Sequence, residues 1–182
     1  MENNLKIVAL CGSLRKESYN KKIIQLAQTL LPEGMTMTFV PHDDVPNYNQ
    51  DWDETPPKSV VDFKQALAEA DGFLIVSPEY NYVMPGALKN ALDWASRGNP
   101  NPVFGKPVSL MGATMGTLGT VSMQISFLNF FRLMNMPLVL KPEIYISLAQ
   151  TKFDEKGNFT DEKGKEMIRQ NLENLKQLIL KR

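Results

Sequence analysis

The sequence predicts a doubly wound α/β protein, a five-stranded parallel sheet in the order 2-1-3-4-5 with helices on both faces. Short, β-branched apolar runs recur along the chain, each closed by glycine or a polar loop. Segments with apolar residues at helical spacing alternate with them, and no internal repeat or low-complexity linker interrupts the alternation. At 182 residues and 43% hydrophobic content, the chain suits one domain spanning 1–182.

The first strand is expected at 6–10 (KIVAL), an apolar run bounded by Gly12 and suited to burial on both faces. A helix follows over 20–31, where Ile23, Ile24, Leu26, Ala27, Leu30 and Leu31 share a face until Pro32-Glu33-Gly34 stops it. The second strand is read at 35–40 (MTMTFV). The loop over 41–58, rich in Pro, Asp and Asn, is a candidate lid. Ser59 opens the next helix, with Asp62 three residues on in a capping-box arrangement and Val60, Phe63 and Leu67 on its apolar face. The third strand is 72–77 (GFLIVS). A loop and helix occupy 78–95 with Pro85 near the helix start, and the fourth strand is 107–113. An apolar helix runs to about Asn135, a strand lies at 137–146, and an amphipathic helix after Thr160 places Ile168, Leu172, Leu175 and Ile179 on one face.

The strand-to-helix turn "CGSLRKESYN" (11–20) gathers a glycine, small polar residues and two adjacent cations. The first N–H groups of a helix lack intrahelical partners and carry partial positive charge, so an anion is favoured there. Ser13, Ser18 and Asn20 add neutral donors, and Arg15 offers a planar fork that suits phosphate. A Walker loop would need glycine where Glu17 stands, and a dinucleotide fingerprint would need it where Leu14 stands. A cysteine phosphatase loop would be too short between Cys11 and Arg15, and Cys11 reads as strand-end packing. The bland alternative is a capped helix with surface cations. In a 2-1-3-4-5 sheet, however, strands one and three flank the switch point, so this turn and "PEYN" (78–81) border one crevice, where a ligand should sit.

Twenty basic and twenty acidic residues balance and are scattered, which excludes a nucleic-acid stripe. One cysteine and one histidine support neither a disulfide framework nor a metal cluster. The N-terminal apolar run is too short for a signal peptide or a membrane span, and a cytoplasmic protein is expected.

Three segments, "GSLRKESYN" (12–20), "SPEYNYVMPGALKNALDW" (77–94) and "GATMGTLG" (112–119), resemble the signature loops of the NADPH-dependent FMN reductase family, which includes chromate and quinone reductases. The resemblance covers nearly the whole chain. It implies a flavodoxin-like FMN-binding domain, with FMN bound non-covalently and NADPH or NADH as co-substrate. It also implies a phosphate loop of Ser13, Leu14, Arg15, Ser18 and Asn20, with Leu14 contributing backbone. Pro78, Glu79, Tyr80 and Asn81 would surround the ring and ribityl chain, and Thr114, Met115 and Gly116 would approach its pyrimidine end.

The implied activity is NAD(P)H oxidation coupled to reduction of quinones or similar acceptors, such as flavins, chromate or azo compounds. Hydride would pass through flavin N5 in ping-pong fashion, with no catalytic side chain required. A flavodoxin-type electron carrier without its own nicotinamide site is the alternative, and a flavin-free anion-binding module is a third reading. One departure stands out: after the glycine loop only Arg132 is basic where the family leads one to expect arginines, so the grip on the nicotinamide nucleotide's phosphate is unassigned. The same segment (120–136) is apolar on more than one side, with Phe127, Phe130 and Phe131 as interface candidates, and together with the resemblance it implies a homodimer or homotetramer.

Overall fold

The computed structural model describes residues 4–182, so positions 1–3 of the expected domain lie outside the described residues. The elements alternate as β1 (Leu5–Cys11), α1 (Tyr19–Thr29), β2 (Met35–Phe39), α2 (Lys58–Ala68), β3 (Gly72–Val76), α3 (Gly86–Ala95), β4 (Val108–Ala113), α4 (Val121–Leu133), β5 (Ile144–Ile146) and α5 (Glu162–Leu180). The sheet has five strands in the order β2-β1-β3-β4-β5. Each neighbouring pair is parallel, with β1 and β3 in register from Ile7 opposite Gly72 to Cys11 opposite Val76. The fold is flavodoxin-like, as expected.

The period of two along each strand divides the core into two layers. Val8, Leu10, Phe73, Ile75, Val108 and Leu110 face α2, α3 and α4, where Phe63, Trp94 and Phe127 fill the space. Ile7, Ala9, Leu74, Val76, Met111 and Ala113 face α1 and α5, and the expected stripe of Ile168, Leu172, Leu175 and Ile179 is buried among them.

Four local expectations need correction. Ser59 does not cap α2: the cap position is Pro57, which makes no side-chain bond, and Asp62 pairs instead with Lys58. Pro57 already holds the extended conformation that a helix entry needs, so Ser59 falls inside the first turn. The fifth strand is shorter than 137–146. Leu138 makes an isolated bridge to Val108, then the chain leaves the sheet until Ile144, because Pro142 brings no N–H to a ladder. The 41–58 loop is not a free lid. The Tyr48 N–H donates to Asn90 Oδ1 at 2.7 Å, while Asn90 Nδ2 and Trp94 Nε1 donate to the Pro46 carbonyl at 2.9 and 2.8 Å, pinning the loop to α3. Finally, Phe127 and Phe131 are buried in the core, so the outward apolar residues of α4 are Val121, Ile125, Leu128 and Leu133.

Candidate functional site

The carboxyl ends of β1, β3 and β4 meet at very short range. A Cβ on Gly12 would lie 2.1 Å from Ser77 Oγ, and one on Gly112 would lie 2.6 Å from the Ser77 carbonyl oxygen and 2.2 Å from Thr120 Oγ1. These two glycines let the strand ends converge, and the loops leaving them therefore share one edge. The sequence reading took Gly12 only as the bound of the first apolar run and Gly112 as part of the fourth strand, and the close approach each allows was not legible there.

The 13–20 turn wraps the N-terminus of α1. Ser18 is the N-cap and its Oγ accepts from the Asn20 N–H at 3.2 Å. Ser13 Oγ accepts from the Arg15 N–H at 3.3 Å, and both serines are buried. Among the described residues, the N–H groups of Leu14, Lys16, Glu17 and Ser18 have no protein acceptor. The first turn of α1 carries no acidic residue to neutralise its dipole. The turn is thus a ring of orphan donors at a positive helix end, with the exposed Arg15 and Lys16 at its rim.

Asn20 has a second duty. Its Nδ2 donates to the Ala113 carbonyl and its Oδ1 accepts from the Ala113 N–H, both at 2.9 Å. The side chain thereby copies a peptide group and ties α1 to the end of β4. The following loop is held from the other side, since the Thr114 N–H donates to the Ile146 carbonyl at 2.9 Å and the Leu148 N–H to the Gly116 carbonyl at 3.0 Å. Met115 projects outward, and its own N–H has no protein acceptor among the described residues.

The 78–84 segment begins at the buried Pro78 and forms a tight hairpin. The Tyr80 and Val83 N–H groups each donate to the other residue's carbonyl, at 3.1 and 3.0 Å, with Asn81 and Tyr82 both at positive φ. That is the pattern of a type I′ turn. Glu79 turns its carboxylate away from the tip: Oε2 accepts from the Met123 N–H of α4 at 2.9 Å. Tyr80, Tyr82, Val83, Leu14, Met115 and Leu118 are all exposed, so an apolar shelf stands beside the cradle of N–H groups.

Burial pushes the Cys11 thiol above its ordinary value, as suits a packed strand end. His42, not singled out by the sequence, lies buried with Nε2 2.9 Å from the Cys11 carbonyl oxygen and braces the exit of β1. Among the described residues no group of acidic, histidine or cysteine side chains could hold a metal. A cavity of about 430 Å³ lies between α2 and the β1–β2 edge, away from the three loops.

A ring of unpartnered N–H groups beside exposed apolar loops, at the switch point of a parallel sheet in the order 2-1-3-4-5, defines a flavodoxin-like protein. The family model for NADPH-dependent FMN reductase matches residues 5–151. The chain is 39% identical over 176 residues to the NAD(P)H-dependent FMN reductase PA1204 of Pseudomonas aeruginosa, covering 96% of this chain and 95% of that one. It is 41% identical over 159 residues to a 2-hydroxy-1,4-benzoquinone reductase of Burkholderia sp, covering 87% of each. The solved structure of FerB, a flavoenzyme NAD(P)H:(acceptor) oxidoreductase from Paracoccus denitrificans, superposes with a TM-score of 0.88 at 30% identity, covering 97% of this chain and 98% of that one. The chain belongs to the NADPH-dependent FMN reductase family. The expectation of an NAD(P)H-dependent FMN or quinone reductase is borne out with it.

Proposed function

We propose that the crevice binds FMN, with the phosphate in the 13–20 turn and the ring system on the shelf between the 78–83 hairpin and the 114–116 loop. The protein would use it to reduce quinones or similar small-molecule acceptors with NADPH or NADH. The observation that carries this reading is the set of unpartnered N–H groups at 14 and 16–18, before a helix whose first turn holds no acidic residue, with exposed Tyr80 and Met115 on the neighbouring loops. FMN, when bound, supplies the hydride chemistry at its N5 position.

The chain's own residues bind and orient. Ser13, Ser18 and the orphan N–H groups meet the phosphate, Arg15 closes over it, and the Asn20 bridge keeps the cradle and the 114–116 loop at one spacing. Pro78, Tyr80 and Asn81 present the hairpin tip to the ring, and the free Met115 N–H is aimed where glycine at 116 allows close approach. With one such shelf, nicotinamide and acceptor must take turns on it. Steady-state rates with NADPH and a soluble quinone are expected to give parallel double-reciprocal lines, with excess quinone competing against NADPH. Anaerobic NADPH should bleach the flavin bands of the reconstituted protein, and quinone should restore them. Intersecting lines would show separate sites and overturn the shared shelf.

A homodimer or a dimer of dimers belongs to this reading, as does a cytoplasmic setting, where reduced nicotinamide nucleotides are supplied. Ile125 is 59% and Leu128 47% exposed on α4, and Leu140 beside them is 71% exposed. An apolar face of this kind next to a half-open shelf suits burial against a second copy. Leu128→Glu is expected to halve the mass measured by light scattering, because a carboxylate is costly to desolvate in such an interface. A wild-type protein that runs as a monomer at micromolar concentration would sink the claim.

A further inference from the structure

We infer that Glu79 and Ser126 are positioning residues: together they clamp the flavin-side hairpin to α4, and so fix Tyr80 and Asn81 for the ring. The inference rests on the FMN reading above, but its physical basis is independent of it. Helix α4 has no side-chain cap of its own, since Thr120 makes no cap bond. The Met123 N–H belongs to the orphan first turn, and it is satisfied from outside the helix by Glu79 Oε2 at 2.9 Å. The other end of the hairpin is fastened one turn further along α4, where Ser126 Oγ accepts from the Met84 N–H at 3.1 Å. The Ser126 hydroxyl donates to the Met123 carbonyl at 2.6 Å, which turns its lone pairs toward the hairpin.

The tip between these anchors is closed by its own Tyr80–Val83 backbone bonds, which shape the turn but do not tie it to the rest of the fold. Tyr80, Asn81, Tyr82 and Val83 are exposed, and Asn81 and Tyr82 adopt φ of 50° and 68°, a left-handed conformation that non-glycine residues resist. A strained, solvated turn keeps its geometry only when its surroundings over-determine it. The two bonds to α4 supply that constraint. They also account for an acidic residue in a flavin-side loop: the negative charge lies on the positive end of α4 rather than on the ring.

The test compares Glu79→Ala, Glu79→Gln and Ser126→Ala by amide hydrogen exchange of the apoprotein and by FMN titration. Glu79→Ala should expose the Met123 amide and the hairpin to exchange, and should weaken FMN binding about tenfold, the scale of one charge-assisted bond. Glu79→Gln keeps an acceptor oxygen in place, so it should recover Met123 protection and most of the affinity. Ser126→Ala should release the Met84 amide and weaken FMN in the same direction, which keeps the clamp testable should Glu79→Ala fail to fold. Unchanged exchange at Met123 in Glu79→Ala, or at Met84 in Ser126→Ala, would overturn the clamp. So would a Glu79→Gln protein as defective toward FMN as the alanine variant, because the charge itself would then act on the flavin. A wild-type protein that binds no FMN would refute the FMN reading, and positioning for the ring with it, while the exchange data would still decide whether the two bonds hold the hairpin.

Discussion

Alanine at position 112 is expected to lower the unfolding free energy by about 3 kcal/mol, the upper range for overpacking a core. The added Cβ would stand 2.6 Å from the Ser77 carbonyl oxygen and 2.7 Å from Thr120 Cβ, as well as 2.2 Å from Thr120 Oγ1. Two of these neighbours cannot swing aside, since a main-chain oxygen and a Cβ move only with their strand or helix. Relief requires β3 and β4 to part at their carboxyl ends, or α4 to back away. The urea midpoint should fall with little change in slope. Adding Thr120→Ala removes only the hydroxyl clash, so it should recover part of the loss and no more. Gly116→Ala is the matched control: its Cβ would meet only Thr114 Oγ1 at 3.7 Å, an ordinary contact. A Gly112→Ala protein with the wild-type midpoint would show that the strand ends do not need this approach. Because the displaced Ser77 leads straight into Pro78, FMN affinity should fall even in the fraction that stays folded.

The elements were legible where one rule dominated. The short apolar runs marked the buried strands and the α5 stripe marked its inward face, while the 13–20 turn showed its small polar residues and cations because these follow from local chain chemistry. What failed to show depends on partners distant in sequence. Asn20 finds Ala113 across 93 positions, and Glu79 finds Met123 across 44. Nothing in the local pattern of either residue separates a ligand donor from a structural bridge. The phenylalanines of α4 were ambiguous for another reason: on a helix apolar on two sides, composition does not tell which side meets the sheet. Ser59 matched a capping signature by residue type alone, and the rigid Pro57 before it decided the boundary.

Arg15→Glu is expected to weaken FMN binding about a hundredfold while leaving the protein folded. Arg15 is exposed, and its guanidinium makes one protein bond, from Nη2 to the Glu17 carbonyl at 3.2 Å, so the fold loses little with it. A charge-assisted bond to phosphate is worth about 1.5–3 kcal/mol, and a carboxylate in its place adds repulsion of about 1 kcal/mol at a solvated contact distance. The new carboxylate would also compete for the unpartnered N–H groups at 14 and 16–18 that the phosphate needs. Arg15→Ala removes the attraction without the repulsion, so its loss should be smaller, about tenfold or more. Riboflavin separates this account from a general disturbance of the shelf, because it carries the same ring system without the phosphate. Fluorescence titration should show FMN affinity collapsing in Arg15→Glu while riboflavin affinity stays near that of the wild type. Equal losses for the two ligands would place Arg15 against the ring or the fold, and no loss for FMN would remove it from the phosphate cradle altogether.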